Sequence, residues 1–409
     1  MALVVCRPEE KRALIWSFLY FFCLMAGYYA IQPLRDEIGV AGGLDQLSWL
    51  FIASMAIMVA ANPIFSLISA RWPRRIFIPW VNRFFIVNLL LFFAGMNMAP
   101  EVWQLWIGRC FFLWVSIFNL FVVSVFWSFM ADRFTSEQGK RLFGCIGAGG
   151  TVGQIAGSAC AAWLTPLIGR YALLLIAALL LEATLKATRE LTAGDEAQPS
   201  REQPSVESAT PSGVRSPSPA AGETGTATRW QSAIDGFRKV VASPYLLGIC
   251  LFILLYTFTS SLLYFNKAVI VKEALASPDQ RTAFFGRLNT WVATVTLALQ
   301  LLVTGSVLPV LGVGLCLSLV PFITILGFGG LYYAPGLMIF ALVEVTRKAA
   351  NYAIARPARE VLFTVVSRDE KYRAKNLIDT VIYRGGDALA AALFGVVALN
   401  IYFLLPEWT

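Results

Sequence analysis

Long apolar runs of twenty or more residues alternate with short polar breaks along almost the whole chain. The hydrocarbon core of a bilayer is about 30 Å thick, so a crossing helix needs about 20 apolar residues. On that measure spans are expected at residues 13–33, 46–69, 75–97, 102–130, 142–166 and 169–187. After a break they resume at 244–269, 285–307, 309–328, 335–364 and 376–404, with a different split open around Leu308–Gly312. The break, Leu191–Arg229, is rich in Ser, Pro, Thr, Ala and Gly. Such a stretch cannot bury enough apolar surface to fold and predicts a flexible linker. The expected organisation is an N-terminal six-helix bundle over 1–190, a linker over 191–229, and a C-terminal bundle over 230–409 with about five legible helices. The fold class is all-α, a polytopic membrane protein of two pseudo-symmetric helical bundles.

Composition agrees with lipid as the main solvent. Of 409 residues, 57% are hydrophobic and 14% charged, and the mean hydropathy is +0.66. A soluble domain carries about 25% charged residues. The net charge of +8 is explained by basic loops rather than by nucleic acid, which is not an expected partner. Arg7, Lys11 and Arg12 precede the first span, and Arg71, Arg74 and Arg75 follow the second. Arg133, Lys140 and Arg141 follow the fourth, and Arg368, Lys371, Arg373 and Lys375 the tenth. Loops of the other parity are poor in basic residues except for Arg35, Lys267, Lys272 and Arg281. This asymmetry predicts a cytoplasmic N-terminus and linker. The apolar run after Met1–Arg12 has no small-residue cleavage site and reads as a retained helix.

The chain has no histidine, and its seven cysteines are scattered without a C-x-x-C. The commonest metal ligand and general base is therefore missing, and a disulfide framework is not expected. No nucleophile–base or metal-ligand cluster is legible, so neither an enzyme nor a cofactor or metal site is expected.

Polar residues inside the spans carry the functional signal. The span at 335–364 holds Glu344, Arg347, Lys348 and Asn351 on one side of a helix at about 100° per residue. Charges at mid-membrane cost several kcal/mol and face a polar cavity or one another. Glu344 and Lys348 are spaced i,i+4 and can neutralise each other. Arg347 has no obvious partner in its own helix, and its planar fork matches phosphate or carboxylate. Arg356 and Arg359 lie nearer the cytoplasm, where snorkelling or pairing with Glu360 explains them. The last legible span holds Asp379, Arg384, Gly385, Gly386 and Asp387. Arg384 and Asp387 can pair internally, and the glycines permit another backbone to approach. Asn82 and Arg83 lie at similar depth in the third span. Arg83 is expected to balance Asp387 or Glu344, or to coordinate a substrate. In "GAGGTVGQIAG", Gly149, Gly153 and Gly157 repeat every four residues, the spacing of close helix pairs.

The two halves echo each other: "YYAIQPLRDE" ends the first span and "YFNKAVIVKE" the seventh, with Tyr28 in the register of Tyr264. The first of these combines Tyr28 and Tyr29 with a helix-interrupting Pro33, which frees a carbonyl and permits bending near the end of the span, and then Arg35–Asp36–Glu37. It offers either an interfacial belt or an aromatic platform with a cation for a planar anion.

"ISARWPRRIF" (Ile68–Phe77) resembles the loop motif of the major facilitator superfamily, with the basic part kept in Arg71, Arg74 and Arg75 and the acidic position lost. That resemblance implies a gating role for the loop. "GYYAIQPLRDEIG" and "RKAANYAIARPAREVLFTVVSRDEKYRAKNLIDTVIYRGGD" together resemble the bacterial and plastid ATP/ADP translocase family. It implies a nucleotide antiporter of major-facilitator-like fold in a bacterial inner membrane. Family members have twelve helices, so a twelfth is expected and missing after "IYFLLPEWT".

The expected function is secondary active transport of an anionic small molecule through the lipid bilayer by a monomer. Substrate-binding candidates are Tyr28, Tyr29, Arg83, Arg347, Lys348, Asn351 and Arg384. Coupling or charge-pair candidates are Glu344, Asp379 and Asp387, of which Glu344 and Asp387 would carry protons if protons are coupled. Drug or siderophore efflux, and a non-transporting receptor or assembly factor, are the alternatives.

Overall fold

The computed structural model describes residues 7–71, 74–196, 243–302, 304–362, 382 and 385–393. Six helices come first: α1 (Lys11–Ala41), α2 (Gly43–Arg71), α3 (Arg74–Met98), α4 (Glu101–Arg133), α5 (Ser136–Ile168) and α6 (Ala172–Glu196). Then follow α7 (Pro244–Ala274), α8 (Pro278–Leu302) and α9 (Thr304–Tyr333). The next helix, α10 (Leu337–Ala350), passes through a π turn at Asn351–Ala355 into α11 (Arg356–Leu362). Residues 385–393 add a further helical stretch. Among the described residues every regular element is helical, and five helices are by themselves long and apolar enough to cross a membrane.

Local signals set several boundaries. Thr135 and Gln138 close a capping box at the start of α5. Ser243 accepts from the Leu246 N–H ahead of Pro244, a residue that suits the first helical position. Gly312 adopts φ 72 and breaks α9, inside the window where a split was open. Two expectations are corrected. Pro33 does not end α1, which runs on to Ala41; buried beside Ile31 and Leu34, it is held in the helix by its neighbours. Leu191–Glu196 belongs to α6 rather than to the linker. Residues 197–242, 363–381 and 394–409, with the rest of the linker and much of the expected span at 376–404, lie outside the described residues.

The glycine spacing in α5 has a direct packing consequence. A Cβ on Gly149 would stand 2.7 Å from the Phe18 carbonyl oxygen, and Cβ atoms on Gly153 and Gly157 would collide with the carbonyls of Phe22 and Ala26. Backbone therefore lies on backbone along the α1–α5 seam. Gly286 of α8 repeats the device against Ala162 of α5, where an added Cβ would lie 2.6 Å from the Ala162 nitrogen. Around α1 an aromatic core fills the first bundle, with Phe21 stacked on Phe126 at 4.3 Å and Trp114 on Phe118 at 5.2 Å. Large apolar side chains such as Trp80, Leu91, Trp163, Leu179 and Ile325 point outward, as a lipid-solvated surface requires.

The first six helices meet the later ones through α1, α2 and α5 on one side and α7 and α8 on the other. Gly153→Val is expected to lower stability by about 1–3 kcal/mol or more through overpacking of the α1–α5 seam. Gly144→Ala, with open space around it, is expected to change little; thermal unfolding of the two purified variants measures the contrast.

Candidate functional site

Near its end, α1 turns Asp36 and Glu37 into the interior, and both are buried. Neither finds its cation in its own bundle alone. Asp36 Oδ2 lies 3.0 Å from Lys267 Nζ of α7, and Asp36 Oδ1 accepts a 2.8 Å hydrogen bond from the Tyr264 hydroxyl. Lys267 is 1% exposed and rests against the Tyr264 ring, 3.8 Å from its centroid. One residue on, Glu37 Oε1 accepts from Arg281 of α8 at 2.9 Å, while Arg170, from the α5–α6 turn, stands 4.0 Å from Oε2. Arg281 also donates to the carbonyls of Leu275 and Ala276 at 3.0 Å each. It thereby satisfies acceptors left open at the end of α7. Arg35 turns back into the first bundle, donating to the Phe112 carbonyl and to Ser116 at 3.2 Å each.

A second group of charges lies on α10. Glu344 contacts Lys348 Nζ at 2.7 Å and Arg347 Nη2 at 3.7 Å. The i,i+4 pairing expected from the sequence is present, and Arg347 has the same acid as a longer-range partner. Arg347 is 1% exposed. Its Nη2 donates to Ser260 Oγ of α7 at 3.0 Å, whereas Nε and Nη1 have no hydrogen-bond partner. A buried guanidinium with two unsatisfied donor atoms is costly and is a site for an added acceptor.

One face of α7 joins the two groups. Tyr256, Ser260, Tyr264 and Lys267 are spaced by four, four and three residues, so they line a single stripe. The Tyr256 ring lies 5.8 Å from the Arg347 guanidinium carbon. At the other end of the stripe Lys267 is within electrostatic reach of Glu344 and Lys348 as well as Asp36. Asn351 is buried a turn beyond Arg347. Tyr28 and Tyr29 pack edge to face at 4.9 Å. Tyr29 is within electrostatic reach of Tyr352 and Arg356 across the bundles, and Arg356 itself lies over the Tyr352 ring at 5.0 Å.

The structure therefore gathers Glu344, Arg347 and Lys348 beside the α7 stripe, while Tyr29 reaches Tyr352 and Arg356 and Tyr28 packs on Tyr29 and Phe118 in the first bundle. Asp387 is nearby in the second bundle, accepting from Ser261 at 2.7 Å. Gly386 lies against Thr257 and Leu254 of α7, the close approach expected of it. Arg83 is not part of the group. Asn82, one residue earlier, takes the inward direction and bonds Thr184 at 2.9 Å, which leaves Arg83 exposed on the outer side of α3. Arg384 and Asp379 lie outside the described residues. Arg71 ends α2, and Arg74 and Arg75 begin α3; their side chains also lie outside the described residues.

Sequence reasoning missed the residues that join the bundles: Asp36, Glu37, Tyr264, Lys267 and Arg281. Their signal was present as basic residues in otherwise base-poor loops. What hid it was taking Pro33 as a helix end, which turned two buried acids into a solvated loop. Among the described residues no cluster of His, Cys, Asp or Glu suits a metal ion.

Lys267→Met leaves Asp36 charged and buried, and is expected to destabilise by about 3–5 kcal/mol. The double variant Asp36→Asn, Lys267→Met is expected to recover a large part of that loss. A double-mutant cycle by thermal unfolding in detergent measures the coupling.

A model described as the Major Facilitator Superfamily matches residues 13–355. The ADP,ATP carrier protein 1 of Chlamydia trachomatis serovar D is 23% identical over 175 residues, covering 37% of this chain and 33% of the carrier. The chloroplastic ADP,ATP carrier protein 1 of Arabidopsis thaliana is 23% identical over 171 residues, covering 36% of this chain and 27% of the carrier. The chain thus matches a third or less of the length of these curated relatives. Among solved structures, a bacterial homologue of the iron transporter ferroportin in its inward-facing state superposes with a TM-score of 0.60 at 12% identity. That match covers 94% of this chain and 90% of the other, and at such identity it speaks for the fold.

Proposed function

The chain belongs to the Major Facilitator Superfamily, and from that premise we propose a secondary transporter that moves an anionic solute across a bacterial inner membrane by alternating access. The observation that carries the reading is Arg347, a buried guanidinium with Nε and Nη1 unpartnered, at the junction where α7 and α10 face α1. A phosphate or carboxylate supplies two acceptor oxygens to a guanidinium fork. Lys348 adds a second cation, and Tyr28, Tyr29 and Tyr352 supply ring faces for an aromatic group on the cargo. The partial similarity to ADP,ATP carriers makes a nucleotide-like solute the first choice, with other phosphorylated or carboxylated metabolites in the same chemical class.

The rocking motion acts on the cross-bundle pairs. Basic residues crowd the loops at the N-terminal end of α1, so that end is read as cytoplasmic. The Asp36–Lys267 and Glu37–Arg281 pairs then close the outer side in the described conformation. Opening outward requires both pairs to part together. The residues invoked all belong to one chain, and the reading takes the carrier as a monomer.

The test is uptake and counterflow in proteoliposomes with a panel of labelled nucleotides and organic anions. At least one anion is expected to exchange. Arg347→Ala is expected to abolish exchange, and Arg347→Lys to reduce it about tenfold or more, since the charge remains and the fork is lost. Exchange of no anion, with Arg347→Ala leaving transport of a lipophilic cation intact, would favour drug efflux through the same fold.

A further inference from the structure

Arg83 is left without a role by the transport site. It stands nine residues into α3, about 13 Å from Arg74 along the axis. Around it on the same outward arc are Trp80, Phe84, Val87, Leu90 and Leu91, all exposed. An arc of large apolar side chains on a membrane helix is the part that lipid covers. Arg83 is exposed within it, and it is the one charged residue of α3 beyond Arg74 and Arg75 at its start. Among the described residues no acid or acceptor bonds to it.

A guanidinium remains charged at every accessible pH, and from this depth its long stem reaches back toward the end where α3 begins, where a headgroup phosphate can meet it. Alongside that path lies a groove that suits an acyl chain. Phe77, Trp80, Val81 and Phe84 of α3 and Trp114 and Phe121 of α4 line a cavity of ≈ 440 Å³, open on its outer side. Every one of these side chains is apolar or aromatic, and the volume falls in the range of about 300–1,000 Å³ typical of small-molecule sites. The groove adjoins the arc that carries Arg83, with Trp80 and Phe84 belonging to both.

We propose that α3 and α4 form a binding site for one anionic phospholipid, its phosphate on Arg83 and an acyl chain in the aromatic groove. Charge sets the choice of lipid: a headgroup of net negative charge satisfies an otherwise naked cation, whereas a zwitterionic one brings its own ammonium to the same place. The groove contributes to binding of any diacyl lipid, and Arg83 contributes the preference. The lipid belongs to the leaflet at the end where α3 begins. The site is separate from the α1–α7–α10 junction and stands whether or not the transported solute is an anion.

Native mass spectrometry of the full-length protein in detergent, titrated with dioleoyl phosphatidylglycerol or dioleoyl phosphatidylcholine, tests this. The wild type is expected to retain phosphatidylglycerol at about tenfold lower concentration, the scale of a charge-assisted bond. Arg83→Gln is expected to bind both lipids alike, and Arg83→Lys to keep part of the preference. Trp80→Ala with Phe84→Ala is expected to weaken both lipids equally while leaving their ratio unchanged. Unchanged thermal unfolding of the lipid-free protein shows that Arg83→Gln is folded. Equal retention of the two lipids by the wild type, or a preference that survives Arg83→Gln, overturns the proposal.

Discussion

A carboxylate taken out of water must be met by a cation, and here the nearest cations to Asp36 and Glu37 come from the other bundle, with Arg35 and Arg170 of their own bundle farther off at 3.8 and 4.0 Å. Removing either partner strands a charge at a cost of about 3–5 kcal/mol. Lys267 at 3.0 Å from Asp36 and Arg281 at 2.9 Å from Glu37 therefore do more than attach two surfaces. They make the packed arrangement depend on charge matching across the junction. Apolar contacts between bundles tolerate sliding, because dispersion is non-directional, whereas a buried ion pair is either made or broken. An interface built this way has discrete states, which is the property that a carrier with two access states needs.

The rest of the architecture positions those few groups. The glycine seam brings α1 close enough to α5 for their carbonyls and Cα atoms to touch, which fixes the axis that carries Asp36 and Glu37. Gly286 against Ala162 does the same for α8, which carries Arg281. The polar stripe of α7 then connects the cross-bundle pairs to Glu344, Arg347 and Lys348. Glu344 and Lys348 thereby share one electrostatic field with Lys267 and Asp36. Arg281 is also tied to the end of α7 by two carbonyls, so releasing Glu37 and moving α7 are linked events.

Much of the fold was legible because bilayer thickness imposes a simple length rule. The first six helices, the α5 glycines and the Glu344–Lys348 pair all emerged from spacing alone. The site was legible where its residues share a helix, as on α10, and illegible where it depends on two helices meeting. Asp36 and Lys267 are 231 residues apart, and no local pattern announces that they touch. Arg83 failed for a related reason. Depth in the membrane can be counted along a sequence, but the direction a side chain faces is decided by neighbours, and Asn82 took the inward direction through Thr184. Pro33 misled because its helix-breaking tendency is a local property that a buried setting overrides.

The most direct measurement is the distance between spin labels near the end of α5, at Leu167, and near the end of α7, at Glu273, by double electron–electron resonance. Both positions are exposed, and they belong to the first and the second bundle respectively. With the pairs intact the account predicts a single short distance. Asp36→Asn together with Glu37→Gln should add a population at longer distance, as the two bundles part at that end. A distribution that stays single and unshifted in the charge-neutral variant, with the protein folded, would contradict the claim that these buried pairs hold the bundles in this state.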